Sequence, residues 1–123
     1  MVRPSCPVLL VHDDDAFRKK LIATLDQHNF PVTFSTDGAE AVDHLKARTF
    51  SVVILGVNLG NRRGATALDF LRDHREAVKC GVILLGDPDP NIRTFAPWAD
   101  ETLLKPVDAA YVATRARAYC DCD

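Results

Sequence analysis

The chain reads as one doubly wound α/β domain built on a parallel sheet. Three observations predict it. Val8 to Val11, Val52 to Leu55 and Val82 to Leu85 are short unbroken apolar runs, which suit strands covered on both faces. Between the runs, apolar residues recur at helical spacing. The connections are short and carry Gly, Pro, Asn or Asp, so strand and helix alternate five times with right-handed crossovers. At 123 residues the natural reading is a single domain over 1–123, long enough for one core. The net charge of -2 points to neither nucleic acid nor membrane.

Taken in order, Val8 to Val11 is a buried strand, followed at once by His12, Asp13, Asp14 and Asp15. Adjacent carboxylates repel, so they need an offset. One is a helix N-terminus, which favours acids; the other is a cation held at the sheet edge. Phe17, Leu21, Ile22 and Leu25 mark the first helix, with Arg18, Lys19 and Lys20 off its apolar stripe and an end near His28 and Asn29. The alternating stretch Phe30 to Thr36 carries Pro31 and fits an edge strand. Asp37-Gly38 is a turn and cap, and Ala41, Val42 and Leu45 mark a helix ending around Arg48.

Val52 to Leu55 is the central strand, ended by Gly56 and a Gly-rich turn from Gly60 to Gly64. Ala67, Leu68 and Leu71 give a helix ending near His74; Cys80-Gly81 punctuates, and Val82 to Leu85 again ends in glycine, at Gly86. Asp87-Pro88-Asp89-Pro90 excludes a helix core, and Pro97 stops any turn begun at Asn91, so the fourth helix is expected to be short or irregular. Thr102 to Leu104 is the last strand, Lys105-Pro106 stands at its end, and Asp108 caps a final helix with Val112, Ala116 and Tyr119 on its inner face. Arg62-Arg63 and Arg115/Arg117 read as solvated faces, and no recognition helix for DNA remains.

Ligands of open parallel sheets gather at the carboxyl ends of the strands. Those ends bring together His12 and Asp13, Gly56 and Asn58, Gly86 and Asp87, and Lys105. Cys120-Asp121-Cys122 could suggest a metal, but no second ligand pair stands at usable spacing, and a frayed helix end is the simpler reading. The N-terminal apolar run is cut off by acids, unlike a signal peptide. A cytoplasmic protein with reduced thiols is therefore expected.

This order of elements resembles the receiver domain of two-component response regulators over essentially the whole chain. The resemblance rests on Asp13, Asn58, Gly64, Lys105 and Pro106, and on V-x-D-D-x-x-x-R from Val11 to Arg18. It implies a flavodoxin-like fold with a five-stranded sheet in the order 2-1-3-4-5 and helices on both faces. It also implies where the chain departs from the family. His12 stands at the first acid of an acidic pair, Gly56 at the phospho-acceptor aspartate, Gly86 at a Ser or Thr, and Thr102 at the switching aromatic.

Aspartyl phosphate formation needs a carboxylate nucleophile, and glycine offers none. Magnesium wants oxygen ligands, usually carboxylates and water. Each unit-charge pair near a surface is worth roughly 4 kcal/mol. With Asp13 and Asn58 as the only residual candidates, magnesium binding is expected to be lost or very weak, and no other cofactor is implied. An Asp13–Lys105 pair would then close the pocket. The leading expectation is a pseudo-receiver with no enzymatic activity, acting in phosphorelay signalling as a phosphorylation-independent interaction module. Its partner would be a protein or an attached output domain, with a weak homodimer also implied by the family. Ile92, Phe95, Trp98 and Tyr111 are the anchors if exposed, and core filling if not. The alternatives are phosphorylation on Asp13, Asp14 or Asp87, and binding of a small anion at the Lys105 edge. Gly56 and Gly86 either open room for a ligand or have it filled by His12, Val57 or Leu59.

Overall fold

A computed structural model describes residues 6–12, 15–35, 38–56, 69–74, 80–86, 99–104 and 107–120. In chain order these form β1 (Val8–Val11), α1 (Asp15–Gln27), β2 (Val32–Ser35), α2 (Gly38–Ala47), β3 (Val52–Gly56), β4 (Gly81–Gly86), β5 (Glu101–Leu104) and the C-terminal helix α3 (Ala109–Cys120). Residues 69–73 are also helical. The five strands lie in the order β2-β1-β3-β4-β5 and every pairing is parallel, as the sequence predicts. The irregular fourth helix expected between Asp87 and Pro97 lies outside the described residues.

Alternation along the strands sorts the core into two layers. Val8, Leu10, Val52, Ile54, Ile83 and Leu85 face Leu21 and Leu25 of α1 and Val112, Ala113 and Ala116 of α3. Leu9, Val11, Val53, Leu55, Val82 and Leu84 face Ala41 and Leu45 of α2 together with Leu71. Each of those strand residues is fully buried, which is why the runs carry no polar positions. Pro31 stands just before β2, which is an edge strand.

The caps follow the sequence. Asn29 takes a left-handed φ of 66°, and the Phe30 N–H bonds the Leu25 carbonyl, so α1 ends where expected. The Asp108 carboxylate accepts the Ala110 N–H at 3.3 Å and opens α3.

Three readings change. Arg18 is not off the core: it is 8% exposed. Arg115 and Arg117 are held, not simply solvated: Arg115 pairs with Glu101, and Arg117 donates to the His28 carbonyl at 2.7 Å and lies over the Phe30 ring. Cys6 is disulfide-bonded, where a reduced thiol was expected.

Candidate functional site

The parallel register brings strand ends to one edge. Val11 is level with Leu55, so His12 and Gly56 each stand one residue further on, side by side. Gly56 is level with Leu85, and Gly86 with Leu104. His12, Gly56 and Gly86 are therefore neighbours along the carboxyl edge, as the sequence predicts. Asp13, Asp14, Asn58, Asp87, Lys105, Ile92, Phe95 and Trp98 lie outside the described residues, and so does the expected Asp13–Lys105 pair. Among the described residues, no group of three His, Cys, Asp or Glu side chains could hold a metal ion.

The geometry between His12 and Gly56 is specific. A Cβ added to Gly56 would lie 2.8 Å from His12 Cδ2, 3.2 Å from Nε2 and 3.3 Å from Cγ. Gly56 has no positive φ, so its backbone would accept any residue. What a side chain at position 56 would meet, and have to displace, is the imidazole. His12 is 2% exposed, and its ring is tilted against Phe17 at a centroid distance of 5.1 Å. Of the fillers expected for the glycine gap, His12 is the one in place; Val57 and Leu59 lie outside the described residues.

His12 is fixed by its backbone as well. Its N–H donates to the Ser35 carbonyl at 3.1 Å, extending the β1–β2 ladder. Its carbonyl accepts Arg18 Nη1 at 3.3 Å. Arg18 also pairs with Asp15 and lies 5.2 Å from the Phe34 ring centroid. A guanidinium three residues into α1 thus meets the end of β1, an acid of the cluster and an edge-strand aromatic together. The acidic run is offset in part by this cation. The signal was present in V-x-D-D-x-x-x-R, whose arginine is the residue that folds back.

On the β5 side, Thr102 is half-buried and level with Leu84, and Tyr111 is 51% exposed on α3. Arg115, one turn after Tyr111, grips Glu101 of β5 with two hydrogen bonds of 2.7 and 2.6 Å. The Tyr119 hydroxyl donates to the same carboxylate at 3.0 Å. The Arg115 hydrogen bonds hold the Glu101 carboxyl below its ordinary value, with Tyr119 adding to them against the opposing effect of burial. Burial pushes the Tyr119 phenol up, and its bond to Glu101 adds to that. At the opposite end of the sheet, a Cβ on Gly81 would run into the Tyr119 ring, so glycine there lets α3 lie close to β4. These contacts escaped the sequence because the partners are many residues apart.

Comparison with known proteins agrees with this architecture. Residues 8–117 match the family described as Response regulator receiver domain. The chain is 30% identical over 115 residues to the transcriptional activator protein PfeR of Pseudomonas aeruginosa, a match covering 94% of this chain and 38% of that protein. It is 23% identical over 111 residues to the transcriptional regulatory protein SrrA of Staphylococcus aureus, covering 90% of this chain and 46% of that one. The chain thus spans less than half the length of these relatives. Among solved structures, a response regulator receiver domain protein (CheY-like) from Methanospirillum hungatei superposes with a TM-score of 0.84 at 17% identity, over 96% of this chain and 95% of that one. The family match and the sheet order lead to one conclusion: the chain belongs to the response regulator receiver domain family of two-component signalling.

Proposed function

We propose that this receiver works without phosphorylation, as a protein-interaction module that carries no catalytic residue. The observation behind the reading is that the His12 imidazole stands in the space a side chain at position 56 would need. Position 56 corresponds, by the family resemblance, to the phospho-acceptor. Glycine there supplies no nucleophile, and a side chain placed there would meet the neighbouring ring. An imidazole is also a poor ligand for magnesium, which selects oxygen. Signalling then runs through contacts with a protein partner or an attached output domain, in a cytoplasmic setting. Tyr111 supports a contact face, since it is a half-exposed aromatic on the β5 side of α3. Incubation with acetyl phosphate and magnesium, followed by intact-mass measurement, tests the reading. The mass should not change. A gain of one phosphate that disappears on Asp13→Asn, Asp14→Asn or Asp87→Asn would overturn it in favour of an unusual acceptor.

A further inference from the structure

We infer that the free edge of β2, with the groove α1 forms beside it, joins two copies of this chain about a two-fold axis. β2 is an outer strand of the sheet, and among the described residues no strand covers its far side. The Pro31 and Ser35 carbonyls accept the Val8 and His12 N–H groups, so these two residues face β1. The hydrogen-bonding side alternates from residue to residue along a strand. Val32 and Phe34 therefore direct their N–H and C=O groups to the free edge, where a further strand can pair. Proline often blunts such an edge by withholding a donor. Pro31 does not, because its missing N–H lies on the β1 side. Val32 packs against the layer that holds Leu21 and Leu25, and half-exposed Phe34 lies against the Arg18 guanidinium of α1. Val32 also shares a groove with Lys19, Ile22, Ala23 and Asp26 of α1.

The charges beside that groove select the occupant. Lys19, Ala23 and Asp26 are exposed and stand at i, i+4 and i+7, so they form one stripe along α1. The stripe has a cation at one end, an anion at the other and a small residue between. It is complementary to itself when reversed, and a two-fold axis through Val32 reverses it. β2 then runs antiparallel to β2 of the second copy, and α1 antiparallel to α1. Val32 exchanges N–H···O bonds with Val32 of the second copy, and Phe34 donates to its Phe30 carbonyl. Lys19 of each copy stands at Asp26 of the other. The spacing agrees. α1 covers the β1–β2 pair, with Leu21 and Leu25 on the layer of Val8 and Leu10 and the groove above Val32. The two helices thus lie two strand spacings apart, about 10 Å, and packed helices lie about 8–10 Å apart. Ala23 lets them approach. The shared strand is four residues long, so the dimer is weak and depends on concentration.

Sedimentation velocity and amide hydrogen exchange on the full chain, from micromolar to millimolar protein, test the inference. Wild type should pass from monomer to dimer, and the Val32 and Phe34 amides should gain protection as it does. Lys19→Asp and Asp26→Lys each set like charges together, so each variant alone should stay monomeric. An equimolar mixture of the two should dimerise, and so should the double variant, because both restore opposite charges across the axis. Both positions are exposed, and unchanged thermal melts show that the variants fold. A wild type that is monomeric at every concentration would overturn the inference and leave the edge to an extended segment of another protein. A dimer that survives either single reversal, or one whose Val32 and Phe34 amides exchange as in the monomer, would place the contact on another face and overturn it too. Failure of both the mixture and the double variant to dimerise would overturn the charge pairing.

Discussion

At the scale of residues, the deciding fact is a fit between two positions far apart in the chain. Read singly, His12 and Gly56 are two unrelated residues at the ends of neighbouring strands. Together they are one packing arrangement, because the ring of one occupies the side-chain space of the other. The sequence made both residues legible, but not their complementarity, which depends on the β1–β3 register and on the tilt of the ring against Phe17. A graded test follows. Gly56→Ala puts a methyl carbon 2.8 Å from His12 Cδ2. Overpacking of this kind costs about 1–3 kcal/mol, less the few tenths to about 1 kcal/mol gained from a stiffer unfolded chain. In a His12→Ala background the same methyl should escape that contact and cost less. Urea unfolding of the four proteins of this cycle checks it, and a cost at position 56 that is equal in both backgrounds would remove His12 as its cause. The cycle also bears on the proposed function, since an aspartate at 56 needs the same room and more.

At the scale of elements, strand and helix positions were legible because each run has one period and clear punctuation. Val52 to Leu55 is apolar at every position, and that pattern belongs to a strand covered on both faces. Contacts between elements were not legible. Arg115 reads as solvated along its own helix, and only the pairing of β5 with β4 brings Glu101 to meet it. This joint should titrate on both sides of neutrality. The folded pKa of Glu101 lies below its ordinary 4.5. Its contribution is therefore present above the ordinary value and is lost as pH falls through the folded one. The folded pKa of Tyr119 lies above its ordinary 10.0, so its contribution is present below that value and is lost as pH rises through the folded one. Glu101→Gln should flatten the acid limb of a stability profile, and Tyr119→Phe the alkaline limb. Thermal melts from pH 3 to 11 measure both; limbs unchanged in the variants would mean that other groups set them.

At the scale of the whole molecule, the sheet holds two core layers apart, and α3 is the last element to close one of them. The Cys6 bond then acts on the chain as a whole. Cys6 is disulfide-bonded, and each of the chain's other cysteines stands more than seventy residues further on, so the bond closes a long loop. No local pattern announces such a pairing; a cysteine near the start of the chain looks the same whether or not the fold joins it to another. In the chain-entropy account, a loop of that length stabilises by about 4–5 kcal/mol, by restricting the unfolded state. Against a typical domain stability of about 5–15 kcal/mol, that is a large fraction. The reduced protein should thus unfold at markedly lower denaturant concentration than the oxidised one. The oxidised protein should also show a smaller denaturant slope, because a closed loop exposes less surface on unfolding. Cys6→Ser should match the reduced protein under both redox conditions. Equal midpoints for oxidised and reduced wild type would mean that the bond strains the folded state by as much as it restricts the unfolded one. Equal slopes would point instead to a compact unfolded chain, one in which the bonded positions already lie close before they are joined.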